Sequence, residues 1–417
     1  MTHTVLGSIS LGYQLLWSPL RQLRAIQLFV GIDDTTPVDA QHFLAALGEL
    51  WSEQAPPLLL SIQSAKLLAD LLDNAPAGSP WIEVHDDHLH EPAMAARVQQ
   101  AHQRGLQLIW RGEPGARPSE ALAPYFSRQM LSLTPVEALT GLRVSLRKHN
   151  GTDTARPSRV VSPVLPGQIY ESVASGVLTE HCLDQQDAWA VAGWPMEDVL
   201  HGYRHQRIQP SHRAVVQLIE AIDTDDSVDQ IEQILTEEPI LCYRFLRYVN
   251  SAGLGLRTEI ESIHHGLMVL GYSVIRAWLL TQLPHATSDL NLQPVRMAMV
   301  TRARLMEQLL DAGDSDDLRR EVYLCGLLSQ IDLLLGESLN SALSRLKISE
   351  RITAALLGHD GPYVPYLDVA TALESSNTHA TRVLCDALSL DIEVVNHDLL
   401  RTLAHVKHRP AKGLLLV

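Results

Sequence analysis

Short apolar runs alternate with helix-period segments over the first half of the chain, and helix-period segments alone fill the second. Runs at 4–16, 25–31, 58–64, 81–85, 106–110, 130–134 and 159–164, with a weaker one at 177–179, predict eight strands. Helical periodicity at 42–51, 65–74, 92–104, 119–125, 136–148, 168–174 and 183–192 falls between them, the pattern of repeated β–α units around a parallel sheet. Eight such strands predict a closed α/β barrel over residues 1–200. A barrel of this type takes roughly 250 residues, and its sites are built on loops at the C-terminal strand ends, so the loops here are trimmed. The polar, turn-rich stretch 150–158 reads as a surface loop. Where the strand-like runs stop, 201–213 (HGYRHQRIQPSHR) holds three Arg, three His and no acid, and reads as a linker. From there a domain at 214–408 is helical throughout. Ser227 with Gln230, and Thr258 with Glu261, have the spacing of capping boxes. Longer helical patterns run at 295–310 and 318–335, and shorter ones at 349–357, 366–373 and 380–388.

Composition narrows the function. At 417 residues, 46% of them apolar, the chain exceeds one core and can bury two. A formal charge of −15 disfavours nucleic acid as a partner, because such binding rests on neutralising phosphates with Lys and Arg. Cys182, Cys242, Cys325 and Cys385 stand far apart without a CxxC pair and are expected as reduced, buried thiols. No apolar run approaches the roughly 20 residues of a membrane span, and no basic region precedes the first one. The expectation is a cytoplasmic protein without a membrane span.

The segment Glu238-Pro239-Ile240-Leu241, the run closing on Asn250-Ser251, and Ile260-x-Ser262-Ile263-x-x-Gly266-Leu267-x-x-Leu270-Gly271 resemble the HDOD domain. That family is an all-helical relative of metal-dependent HD phosphohydrolases. The resemblance extends over about 210–406 and includes Ile352-Thr353-Ala354-Ala355-Leu356-Leu357-Gly358. It implies a role in signal transduction. Where an HD enzyme carries an adjacent His-Asp pair of metal ligands, the corresponding helix here has Ser329-Gln330, which cannot replace an imidazole and a carboxylate.

A βα barrel ahead of an HDOD domain resembles the EAL–HDOD signalling proteins, which implies a degenerate EAL-like barrel related to cyclic di-GMP phosphodiesterases. An active site of that kind needs several carboxylates to hold two hard divalent cations. By the resemblance, Gln14 in Gly12-Tyr13-Gln14-Leu15-Leu16 stands for the metal-binding Glu of the family's tripeptide. Glu83 keeps a carboxylate, with Asp86 replacing another, and Arg111 and Gly112 fall on a pair of aspartates. Ala174-Ser175-Gly176-Val177-Leu178-Thr179 stands for Ala-Glu-Gly-Val-Glu-Thr, losing both acids at Ser175 and Leu178, and Ala192 replaces a closing Gln. The substitutions imply no catalytic residue, no metal and no cofactor. The dense group His85-Asp86-Asp87-His88-Leu89-His90 reads as a polar loop, and His264-His265 point too far apart to share one ion.

These expectations converge on a non-catalytic regulatory adaptor that binds a protein partner of a signalling pathway. The alternative is a cyclic di-GMP receptor that does not hydrolyse its ligand, for which Arg111 and the linker residues Arg204, Arg207 and Arg213 are the anion-binding candidates. A metal-dependent phosphodiesterase ranks third, because neither domain offers the ligands.

Overall fold

The computed structural model describes residues 4–32, 38–149, 161–255, 259–310 and 315–408, with backbone alone at 147–149. Eight strands close into a barrel in sequence order: β1 (Ile9–Trp17), β2 (Leu23–Ile32), β3 (Leu58–Ile62), β4 (Trp81–His85), β5 (Leu108–Arg111), β6 (Arg128–Ser132), β7 (Ile169–Glu171) and β8 (Ala190–Ala192). The α/β barrel followed by a helical region is therefore as the hydrophobic pattern predicts. The sheet is not wholly parallel, because β1 runs antiparallel to both β2 and β8. No helix separates β1 from β2, and a tight turn joins neighbours antiparallel, whereas a parallel neighbour needs a crossover. Leu16, Ala25, Leu59, Ile109, Met130, Ile169, Ala190 and Ala192 form the barrel's buried inner core.

Two strand assignments change. The expected strand at 177–179 is the helix Gly176–Glu180, while β7 lies inside the stretch 168–174 that the pattern makes helical. The helix expected over 183–192 is instead a π-turn, His181–Gln185, followed by β8. With three residues apiece, β7 and β8 are too short to express a period of two. Of the run 159–164, residues 159–160 lie outside the described residues and 161–164 are not strand. The helix expected at 119–125 shrinks to a 3-10 turn, Ala123–Tyr125.

The chain forms two compact units, one of residues 1–198 and 371–417 and the other of Val199–Ala370. Helices Thr378–Leu388 and Ile392–Ala404 therefore belong with the barrel, not with the helical domain to which the sequence reading assigns them. β8 pairs with β1 only at Leu16 and Trp17, so the N-terminal half of β1 lacks a strand on that side. Fully buried Asn396 takes that place. It donates to the carbonyls of Leu6 (2.8 Å) and Ile9 (2.9 Å) and accepts from the Leu11 amide (3.2 Å). Leu399, Leu400 and Leu403, all at 0% exposure, follow it on the same helix.

The second unit is helical, and its signature residues explain themselves locally. Ser227 and Gln230 form the expected capping box. Thr258 lies outside the described residues, and Ser262 caps the helix that follows. Asn250 brackets the loop after helix Pro239–Val249 by accepting from Ile260 N (2.9 Å) and donating to Ile260 O (2.7 Å), while Ser251 precedes the turn Ala252–Leu254. Gly266 is needed for close approach, since a Cβ would stand 2.9 Å from the Phe245 ring. Gly271 (φ 69°, ψ 163°) breaks the helical run Ile263–Gln282. Asn250→Ala strands two backbone groups of buried Ile260, and urea unfolding should register a loss of about 1–3 kcal/mol.

Residues 203–211 are built into this unit and are not a free connector. The Tyr203 hydroxyl donates to Asp289, and Gln209 O accepts from Arg296 at 2.8 Å. Among the described residues one helical stretch, Ile263–His285, is long and apolar enough to cross a membrane by length and composition, where the sequence pattern predicts none. All four cysteines are free and buried. Burial pushes the Cys182 thiol up to about 12 and Cys385 up to about 11. A thiol reagent at pH 8 should modify none of the four in the native protein and all of them after denaturation.

Candidate functional site

A polar layer lies inside the barrel, toward the C-terminal ends of the parallel strands. Gln27 Nε2 donates to Ser61 Oγ and to Glu83 Oε2, each at 2.9 Å, and Ser61 Oγ donates to the same Glu83 oxygen at 2.5 Å. Arg111, on β5, bridges the layer. Its Nη1 reaches Glu83 Oε1 at 3.2 Å and its Nε reaches Glu171 Oε1 at 2.9 Å, where Ser132 Oγ also donates at 2.9 Å. The two carboxylates are 6% and 8% exposed and the guanidinium 31%. Burial opposes the charge on Arg111, but Glu83 and Glu171 more than offset it and its pKa is raised.

A two-metal centre does not fit this donor set. The carboxylate oxygens that would ligate a hard cation already accept from a guanidinium, Gln27, Ser61 and Ser132. A fixed organic cation stands between the two carboxylates, so a divalent ion entering there would meet like charge. The arrangement pairs its charges internally, through Arg111 to Glu83 and Glu171.

The structure relocates three of the residues assigned from the sequence. Gln14 lies on the antiparallel strand β1, opposite Gln27, with its amide against Gly193, where a Cβ would stand 2.5 Å from Nε2. The neutral amide that contacts the acidic layer is Gln27, on the strand that begins the parallel set. Ser175 and Leu178 do not end a strand: Ser175 precedes helix Gly176–Glu180 and Leu178 is buried within it. β7 ends at Glu171, so a carboxylate is present where the sequence reading finds both lost. The signal was an apolar pair, Ile169-Tyr170, running into an acid. Gly112 follows β5, and a Cβ there would stand 2.5 Å from the Trp110 ring. Ala192 ends β8 as part of the apolar core. Asp86 accepts from Trp110 Nε1 at 3.0 Å, and His85 caps the short turn Asp86–Leu89.

In the helical unit an arginine meets Ser329 and Gln330. Helix Asp316–Leu328 ends at Ser329, whose Oγ accepts from buried Arg302 at 3.3 Å. With its amide oxygen facing Arg302, Gln330 accepts from both terminal guanidinium nitrogens at 3.3 and 3.2 Å. Asp229, Glu232 and His264 gather ligand atoms within 4.8 Å, a cluster that sequence spacing does not reveal. His264 Nδ1 lies 2.8 Å from Glu232, and Arg320 reaches both Glu232 (3.1 Å) and Asp229 (3.3 Å), so the group is a compensated ion network. Arg204, Arg207 and Arg213 are exposed in this unit, whereas Arg111 lies in the other. Arg204 turns back onto the His201 carbonyl at 3.0 Å.

The helical unit that holds Glu238, Asn250 and Gly266 contains an HDOD domain: residues 209–351 match the HDOD domain family. That match ends before the 406 expected from the sequence. Two curated relatives are YuxH of Bacillus subtilis and the cyclic di-GMP phosphodiesterase CdgJ of Vibrio cholerae. YuxH is 27% identical over 158 residues, 36% of this chain and 37% of that protein. CdgJ is 22% identical over 198 residues, 47% of this chain and 46% of that protein. The chain thus spans less than half the length of either. Among solved structures, the MmoQ response regulator of Methylococcus capsulatus covers 44% of this chain and 94% of its own at 15% identity, with a TM-score of 0.38.

Proposed function

We propose that this chain is a non-catalytic regulator of cyclic di-GMP signalling, whose barrel does not hydrolyse the dinucleotide and whose HDOD domain engages a protein partner. The observation that carries this reading is the position of Arg111 between Glu83 and Glu171. Phosphodiester hydrolysis by this class of chemistry needs a water activated on divalent ions, and a guanidinium has no Lewis-acid site at which to bind one. The HDOD domain and the relative named as a cyclic di-GMP phosphodiesterase support the signalling context. Arg302 at Ser329-Gln330 supports the same loss in the helical unit.

The test is to incubate the full chain with cyclic di-GMP and Mg²⁺ or Mn²⁺ and to separate the nucleotides by chromatography. Intact dinucleotide is expected after prolonged incubation. Appearance of the linear product, in proportion to protein and lost on chelation, would refute the reading.

A further inference from the structure

We infer that the chain fills part of its own barrel mouth: residues 373–378, leading into helix Thr378–Leu388, occupy the β1–β3 side of the C-terminal mouth and exclude a cyclic dinucleotide from it. This deepens the proposed function and rests on it. Side chains two apart along a strand share a face. Ser10, Gly12 and Gln14 therefore face inward with Leu16, and Gln27, Phe29 and Gly31 face inward with Ala25. At the mouth end of these strands, the Ser375 carbonyl oxygen lies 2.1 Å from where a Cβ on Gly12 would stand, with the Leu373 oxygen at 3.5 Å. Thr378 Oγ1 lies 2.1 Å from the corresponding position on Gly31. Neither glycine has a positive φ, so both are required for space and not for backbone conformation.

Polar contacts fix the segment. Gln63, just past β3, donates to the Ser376 carbonyl at 2.9 Å and accepts from Thr378 Oγ1 at 3.0 Å. Arg382 donates to Ser10 Oγ and to the Ile9 carbonyl, each at 2.8 Å. Thr378 itself is 1% exposed. A cyclic dinucleotide presents two phosphodiester anions and needs donors or cations to receive them. Here the segment turns a carbonyl oxygen toward the mouth at Gly12, while Arg382 is committed to Ser10 and Ile9 and Arg111 to two carboxylates. Both sterics and charge oppose the ligand.

The experiment pairs calorimetric titration of the full chain with cyclic di-GMP and Mg²⁺, nucleotide recovery, and hydrogen exchange read on peptides covering 373–378. Wild-type protein should show no binding up to about 100 μM ligand and should protect the Thr378 amide. Gly12→Ala, which pushes a Cβ into the Ser375 carbonyl, should raise exchange in the segment by about tenfold while β4–β6 peptides stay unchanged. If that variant does not fold, Gln63→Ala, which removes only hydrogen bonds to the segment, serves the same comparison. Micromolar binding of intact nucleotide by the wild type overturns this inference and leaves the non-hydrolytic reading standing. Cleaved nucleotide overturns that reading. An unprotected segment in the wild type, or unchanged exchange in the folded variant, overturns the inference alone.

Discussion

Arg111→Ala should destabilise the barrel unit by about 2–3 kcal/mol, below the roughly 3–5 kcal/mol for breaking a fully buried pair because the guanidinium is about a third exposed. The loss arises less from the missing bonds than from what remains. Glu83 and Glu171, both nearly buried, would face one pocket with no cation between them. Urea unfolding of the wild type, Arg111→Ala and Arg111→Lys measures it, with lysine recovering charge but not the two-pronged geometry. The variant also tests whether the guanidinium keeps a divalent ion out of the acidic layer. With the guanidinium gone, millimolar Mn²⁺ should raise the unfolding midpoint of Arg111→Ala, as any ligand of the folded state must, and leave the wild type unmoved. A neutral alanine substitution would deny Arg111 its role as counter-charge. A wild type stabilised by Mn²⁺ would show that the carboxylates still accept a metal.

How much of this was legible in the sequence depends on the range over which each feature is encoded. The helical unit was readable because its determinants are local: Ser227 with Gln230, and Glu238 with Pro239, act within one turn of the helix they begin. The long strands β1 and β2 declared themselves by apolar length. β7 did not, because Ile169–Glu171 sits in a stretch with helical spacing and is identified as a strand only by pairing with β6 and β8. That error moved the expected acid from Glu171 to Ser175 and made the layer look emptier than it is. Arg111 was legible as a misplaced cation, but its effect required two partners from strands 28 and 60 residues away. Helix Ile392–Ala404 lies beyond the last helical pattern read from the sequence, at 380–388, within the stretch 214–408 assigned to the helical domain and not to the barrel. Its destination was signalled by Asn396, a polar residue on an otherwise apolar face, which makes sense only once the unpaired edge of β1 is seen.

Glu238→Ala should be the most damaging single change in the helical unit. The Glu238 side chain caps helix Pro239–Val249 by accepting from Leu241 N at 2.7 Å, accepts from Ser211 N at 3.1 Å, and pairs with Arg296 at 2.7 Å. Both ends of that pair are almost fully buried, at 2% and 4% side-chain exposure. Removing the acid leaves an uncompensated buried guanidinium, a cost of about 3–5 kcal/mol, to which loss of the cap adds about 1 kcal/mol. Glu238→Gln keeps an oxygen for Leu241 N but not the charge, so the difference between the two variants isolates the cap. The double variant Glu238→Ala with Arg296→Met removes the stranded charge and should recover most of the loss in urea unfolding. If the double variant is no more stable than Glu238→Ala, the penalty lies in the cap and the Ser211 contact, and Arg296 is not the group that makes Glu238 necessary.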